Sequence, residues 1–343
     1  FLFVYFANAR EGASLAALVI IFPILFGLLV SRHNNIVAKK RLAHNLRVIN
    51  EQEIKRCDHQ FGDLPSGDGW MTREHPYAYD LDIFGRNSLF QLLNRTSTPS
   101  GEYHLSQWLL HASPETDIKT RQEAVDELSN DMTWNQRFQA VGRMLENVNQ
   151  SDLDRLLKWL KSPPILPSAL YRIFSYLNPF VILVTIGFTI AGLLTVYVPI
   201  LMVLANGFIL RKFQERLTRV THSTSGNARL LRSYGSLIGM IEEREFQSGL
   251  LINLRRPFHQ EKHKATRTIQ RIRKLADYLD ARGNLFYQLS NFIFLLDIHL
   301  ISAAENWKLK NREDIEEWFS NIGEIEGIIS LAGFKIAHPE FTV

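Results

Sequence analysis

The apolar positions of this chain include two long runs that carry no charge. The first, Ala13 to Val30, is interrupted only by Ser14, Pro23 and Gly27. The second extends from about Phe174 to Leu210 without an Asp, Glu, Lys or Arg. Because a helix needs about 20 apolar residues to cross a bilayer, the first run predicts one transmembrane helix. The second is long enough for two, which predicts a hairpin.

Basic residues flank both apolar runs. Lys39-Lys40-Arg41 follow the first run, and Arg172 and Arg211-Lys212 lie at the two ends of the second. Cytoplasmic flanks of membrane helices are enriched in Lys and Arg, so this pattern predicts a hairpin that returns to the cytoplasm. Two alternatives remain open. The residues before the first run are compatible with a signal peptide, because Ala7-Asn8-Ala9 resembles a cleavage site. The second run is also compatible with a buried hairpin in a soluble core.

The remaining segments have the spacing of amphipathic helices. Apolar residues recur at intervals of three and four in Gln122 to Leu128, Trp134 to Leu145, Leu153 to Leu160 and Arg229 to Phe246. Thr98-Pro99 predicts a helix start, because a Thr side chain caps free N–H groups and a proline fits the first turn. Gly101 permits close approach by a neighbouring element. With no alternating strand pattern, these signals predict an all-α fold.

Charge is distributed unevenly along the chain. The net charge is +4 over 343 residues, but residues 255 to 274 carry eight Lys or Arg against the single acid Glu261. Four of these cations share one face of a predicted helix: Lys264, Arg267, Arg271 and Lys274. The opposite stripe is apolar and consists of Ala265, Ile269, Ile272, Ala276 and Leu279. This basic face predicts binding of DNA or lipid phosphates; a merely solvated face is the alternative.

Other candidate sites have simpler explanations. Cys57 is the single cysteine, which excludes an intrachain disulfide and a cysteine-based zinc site. His259 and His263 have metal-ligand spacing, but the surrounding cations oppose a bound metal, so we expect solvated histidines. Asp297 and His299 point to different helix faces, which favours a hydrogen-bonded core aspartate over a catalytic pair. The sequence contains no Gly-x-x-x-x-Gly-Lys-Ser/Thr loop for nucleotide phosphates.

Two sets of residues resemble the MutS family of ATP-driven clamp proteins. The first matches the opening of the family's helical core: Gly85, Ser88-Leu89, Asn94, Thr96, Thr98, Gly101, Leu105, Trp108-Leu109, Pro114, Ile118, Arg121-Gln122, Val125 and Leu128. The second resembles the lever helices of a membrane-anchored bacterial branch: Leu279, Arg282, Asn284, Leu289, Asn291, Asp297, Trp307, Trp318, Ile322, Glu324, Glu326, Ser330-Leu331-Ala332 and His338-Pro339.

The resemblance implies a MutS-like core and lever fold with transmembrane helices. It also implies a C-terminal ATPase domain beyond Val343, which would hold ATP and Mg and form a homodimer. Localisation in a bacterial inner membrane is expected, with most of the chain cytoplasmic and DNA as a partner. We do not expect mismatch recognition. Membrane-type helix stands where the family has its mismatch reader, and Phe213-Gln214-Glu215, which matches the reader's Phe-x-Glu letters, lies in a basic helix.

The expected organisation has six parts. Their bounds are transmembrane segments at 1–31, a juxtamembrane helix and loop at 32–74, the first part of the core at 75–170, the apolar hairpin at 171–211, lever and core helices at 212–331, and the approach to the ATPase domain at 332–343. A membrane-bound helical scaffold without nucleic-acid function is the alternative reading. A small transporter is disfavoured, because the apolar runs hold no ionisable residue.

Overall fold

The computed structural model describes residues 12–71, 74–145, 150–163, 169–259, 264–280, 282 and 284–341. These residues form α-helices, three short 3₁₀ turns and no strand, which confirms the predicted all-α class. The helices are α1 (Gly12–Cys57), α2 (Leu89–Leu93), α3 (Pro99–Leu110), α4 (Glu115–Ser129), α5 (Met132–Gly142), α6 (Gln150–Lys161), α7 (Ala169–Ile190), α8 (Tyr197–Glu243), α9 (Gly249–Arg255), α10 (Ala265–Asp280), α11 (Leu285–Phe294) and α12 (Leu296–Ala337).

Two very long helices, α8 and α12, connect the apolar hairpin with the rest of the fold. They contain 47 and 42 residues, which corresponds to lengths of roughly 70 and 63 Å at about 1.5 Å per residue. The second helix of the predicted hairpin is therefore much longer than the apolar run, since α8 continues well beyond Leu210. No proline occurs between Pro199 and Pro257 to end it.

The hairpin itself reverses direction between α7 and α8. Gly192 lies in this turn with φ +75°, a left-handed conformation that glycine adopts without strain. Within α7, Ile173–Ile190 is the one described segment that is long and apolar enough to cross a membrane, and 17% of it is buried. The neighbouring apolar segment Tyr197–Arg211 is shorter.

The first apolar run lies in the N-terminal part of α1. From position 21 to position 30 every side chain that the structure describes is exposed, including Phe22, Phe26 and Leu29. Residues 1–11 and the side chains of residues 12–20 lie outside the described part. Further along, α1 packs against α5, where the Asn45 side chain donates to the carbonyl of Ala140 over 2.9 Å.

The main core lies between α12 and the helices around it. Tyr234, Phe138, Leu156, Ile272 and Ile328 are among its fully buried members. Helix α12 packs most extensively against α3, and the contact is close at Gly323. A Cβ at this position would lie 2.6 Å from the Ser100 carbonyl oxygen, so only glycine allows this separation of the two backbones.

The residues that carry the family resemblance have structural roles in this fold. Thr98 caps α3 by accepting a hydrogen bond from the Gly101 N–H over 3.1 Å, and Pro99 occupies the first turn, as predicted. The Arg121 guanidinium stacks on the Trp108 ring at 4.0 Å from its centroid. The Asn94 side chain accepts from the Thr96 N–H over 3.0 Å. These roles explain the pattern as caps, turns and packing, without any catalytic group.

Candidate functional site

A buried carboxylate joins the long helix α12 to the start of α3. Glu326 Oε1 accepts from the Ser97 N–H over 3.1 Å, and Oε2 accepts from the Thr98 N–H over 3.2 Å. The hydroxyl groups of Ser97 and Thr98 also donate to it. Gly101 lies directly beneath, where a Cβ would overlap the carboxylate. The prediction that Gly101 permits a close approach is thereby confirmed, with Glu326 as the neighbour.

The protonation of this carboxyl is sensitive to its surroundings. Burial raises the pKa of Glu326 to about 7, although the four hydrogen bonds from Ser97 and Thr98 oppose the shift. Burial, and secondly the charge of Glu326, also raise the pKa of the Tyr234 hydroxyl, which lies in the same region of the core. Hydrogen bonds to the Glu326 carboxyl thus stabilise the junction between α12 and α3. The charge of this carboxyl changes near neutral pH.

A second buried network fastens the end of α1 to the core. The Glu53 carboxylate pairs with Arg95 over 2.7 Å and with Arg56 over 2.8 Å. Arg95 also donates to the carbonyls of Leu92 and Leu93, each over about 3 Å. Burial, assisted by repulsion from Arg95, lowers the pKa of Arg56 to about 10. Because both guanidinium groups are enclosed, α1 is held to the core by charge as well as by packing.

A third polar cluster lies at the base of the hairpin and centres on Asp297. Its carboxylate receives hydrogen bonds from Tyr287 over 2.7 Å, from Asn291 over 2.8 Å and from Arg282 over 3.0 Å. Asp297 is buried, which confirms the prediction of a hydrogen-bonded core aspartate. His299 turns away from this cluster, and its Nε2 lies 3.0 Å from the Ser175 carbonyl oxygen of α7.

The predicted basic face lies on α10. Lys264, which immediately precedes the helix, is exposed, and so are Arg267, Arg271 and Lys274. Within the described part of the chain none of these four side chains has an acidic partner, whereas Arg273 on the same helix lies 3.9 Å from Asp277. Of the predicted apolar stripe, Ala265, Ile269 and Ile272 are buried; the side chains of Ala276 and Leu279 lie outside the described set.

A groove between α10 and α12 extends the basic face with a residue that the sequence analysis missed. The groove has a volume of about 680 Å³, and its polar lining includes Arg271, Lys274 and Lys310 but no acid. Its floor is closed by Trp307, whose indole N–H donates to the Thr268 carbonyl over 2.9 Å. Lys310 follows a stretch that contains Glu305 and precedes Glu313 and Asp314, so local charge composition did not single it out. Such a surface is suited to bind an anionic chain of phosphates.

No described residues form a metal centre. Over the described ranges no group of three or more His, Cys, Asp or Glu side chains is positioned to hold a metal ion. His259 is exposed, and His263 lies outside the described residues. The side chains of Phe213, Gln214 and Glu215 also lie outside the described set.

The comparisons with known proteins agree with this architecture. The family model described as MutS domain III matches residues 79–304, about two thirds of the chain. Neither the curated proteins nor the solved structures gave a match. The matched range extends from just before α2 into the first part of α12, and therefore includes the hairpin and the basic face.

Proposed function

We propose that this chain, which belongs to the MutS family through its domain III, is the core and lever of a membrane-anchored MutS-type protein. Domain III is part of the architecture of MutS DNA mismatch repair proteins. In this proposal the hairpin anchors the chain in a bacterial inner membrane. Helices α8 and α12 transmit movement between that anchor and a C-terminal ATPase domain of the parent protein, through which the protein forms a homodimer.

The observation that carries the proposal is the continuity of α8 and α12. Each helix begins at the apolar hairpin, where Leu210 packs with Leu295 and Ile298, and each extends to the core around Tyr234 and Phe319. A rigid helix with both ends fastened can transmit displacement between its ends, as nucleotide-driven switches require. ATP and Mg chemistry belongs to the ATPase domain in this proposal, and no residue of this chain is assigned a step in it.

The first test locates the hairpin turn relative to the membrane. We expect a cysteine introduced by Ala191→Cys in this turn to react with a membrane-impermeant maleimide added outside intact spheroplasts. The single native cysteine, Cys57, is exposed at the end of α1, a segment that the proposal places in the cytoplasm, and we expect it to react only after lysis. Mass spectrometry of the labelled peptides distinguishes the two sites.

The native protein provides the control for this labelling experiment. Wild-type spheroplasts carry Cys57 alone, so their labelling before lysis measures leakage of the reagent. If the Ala191→Cys site also reacts only after lysis, the hairpin does not cross the membrane. Membrane anchorage by residues 171–211 would then be wrong.

The second test concerns the basic face, for which we propose nucleic-acid phosphates as the ligand. We expect the detergent-solubilised protein to bind a fluorescent DNA duplex with an affinity that falls steeply with salt, measured by anisotropy. Charge reversal of all four residues, Lys264, Arg267, Arg271 and Lys274, to Glu should make the negative slope of log K against log salt shallower by about four, because each phosphate contact contributes about −0.9.

A matched variant separates this effect from net charge. Reversal of four other exposed cations, Lys119, Arg137, Arg155 and Lys158, changes the net charge by the same amount. We expect it to leave most of the affinity and the salt slope intact. Equal losses in both variants would show that long-range charge, and not the basic face, determines binding. No binding by the wild-type protein would favour the membrane scaffold without nucleic-acid function.

A further inference from the structure

Helix α11 exposes three large apolar side chains, two of which share one face. Leu289 is 57% exposed and Phe292 is 41% exposed, three residues apart on one face, and Phe294 at the end of the helix is 40% exposed. Soluble surfaces seldom gather such residues in one short helix. Leu289 and Phe292 therefore form a partly exposed apolar surface, and α8 covers it only at the edge where the Phe292 ring meets Gly207.

Polar contacts on the opposite side of α11 hold this orientation. Tyr287 and Asn291 donate to the buried Asp297 carboxylate over 2.7 and 2.8 Å. The Asp297 N–H in turn donates to Asn291 Oδ1 over 2.9 Å. Leu295, at φ +50°, forms a sharp left-handed corner between α11 and α12. With its polar side pinned in this way, α11 cannot rotate to bury Leu289 and Phe292 without breaking these contacts.

The hairpin base lies directly beside the exposed face of α11. The Asn206 side chain donates to the Phe292 carbonyl over 2.8 Å, and to Asn178 Oδ1 across the hairpin over 2.9 Å. The Phe292 ring lies over Gly207, where a Cβ would be 3.0 Å from Cε1. The first charged residue of α8, Arg211, follows only four positions later. Helix α11 is thus located at the end of the apolar hairpin, where hydrocarbon would give way to water.

The hairpin also exposes large apolar side chains at the end that adjoins α11. Tyr176 is 68% exposed and Phe208 is 76% exposed, and both belong to the same end of the hairpin as Asn178 and Asn206. Aromatic residues are enriched where membrane helices meet the headgroup region. Exposed apolar side chains therefore occur both on α11 and at the adjoining end of the hairpin.

We propose that α11 is a third lipid-contacting element, with Leu289 and Phe292 inserted into the cytoplasmic interfacial layer of the bilayer. The proposal rests on the proposed membrane insertion of the hairpin. Helices with an apolar face and a polar face bind in this layer and bury the apolar side chains at the boundary of the acyl chains. Hydrogen bonds to Asp297 connect α11 to the first turn of α12. Contact of α11 with the membrane would therefore hold the N-terminal end of α12 in place.

Depth-dependent fluorescence quenching tests this placement. In a Cys57→Ser background, single cysteines introduced by Leu289→Cys, Leu204→Cys and Ile118→Cys are each labelled with the environment-sensitive fluorophore NBD. The protein is reconstituted into phosphatidylethanolamine and phosphatidylglycerol vesicles with or without lipids brominated near the headgroup end of the acyl chains. We expect severalfold quenching by brominated lipid at positions 289 and 204, and none at 118.

The three positions make the possible failures distinguishable. Leu204 reports the hairpin, and Ile118 is an exposed apolar residue of α4. Quenching at 204 without quenching at 289 overturns the inference and leaves the hairpin proposal intact. Absence of quenching at both positions overturns both. A blue-shifted but unquenched label at 289 would show that protein, and not lipid, covers α11. Unfolding curves of the labelled variants establish that each retains the fold.

Discussion

Replacement of Glu326 by alanine should destabilise the protein by about 3–5 kcal/mol, because it creates a cavity and leaves a set of buried donors without an acceptor. Those donors are the N–H and hydroxyl groups of Ser97 and Thr98. Urea unfolding in detergent, followed by circular dichroism, measures the change. Glu317→Ala, an exposed site on the same helix, is the matched control and should have essentially no effect. Equal unfolding midpoints for Glu326→Ala and wild type would contradict a structural role for this junction.

The pH dependence of stability gives this prediction an independent readout. The pKa of Glu326 in the folded protein, about 7, lies above its usual value of 4.5. The folded state therefore binds more protons than the unfolded state between these values. The stabilisation that arises from this raised pKa amounts to roughly 3 kcal/mol. It is fully present below pH 4.5 and is lost as the pH rises through 7. We expect Glu326→Gln to be less damaging than alanine and to remove this component of the pH profile; an unchanged profile would contradict the assignment.

Replacement of Glu53 by alanine should have the second-largest effect, a loss of about 2–4 kcal/mol, because two enclosed guanidinium groups lose their carboxylate. The side chains of Arg95 and Arg56 are 2% and 5% exposed. They keep their backbone carbonyl partners, which is why we expect less than a complete loss of stability. Hydrogen exchange should show the end of α1 opening more often, since Glu53 joins this segment to the core.

Two further variants distinguish the buried network from a general effect of charge. Glu51 lies two residues before Glu53, but it is exposed and pairs with Arg47 at the surface, so Glu51→Ala should not change stability measurably. Adding Arg95→Met to Glu53→Ala removes one of the stranded charges and should recover part of the loss. A double variant that is as unstable as the sum of its single changes would contradict the ion-pair explanation.

Local signals were sufficient for much of the fold. The N-cap at Thr98, the close approach at Gly101 and the helical spacing around Trp134 depend on residues a few positions apart, and a sequence displays these directly. The basic face of α10 was likewise predictable, since residues three and four apart share one side of a helix. What these signals could not indicate was the partner across the fold. In the sequence, Glu326 is one acid among several in a charged helix, so its buried partner could not be inferred.

Helix ends and site composition were the less predictable features. The expected boundary between the hairpin and the lever helices was set at Arg211, because hydrophobicity changes there. Hydrogen bonding within a helix does not depend on that change, and α8 continues to Glu243. Lys310 joins the groove of Arg271 and Lys274 only because α10 and α12 pack side by side. Its sequence neighbours are mixed in charge, so no local pattern could have found it.

The helical class, the family resemblance and the two apolar runs were all predictable, since each depends on residue types that recur at short intervals. Which of the polar residues are buried, and what they contact, depends instead on how the helices pack. Glu326 meets the start of α3, Glu53 meets Arg95, and Asp297 fixes α11 against α12, each across a contact that only the folded chain makes. Burial sets the cost of leaving such groups unpaired, and burial is a property of the packed helices that no local pattern contains.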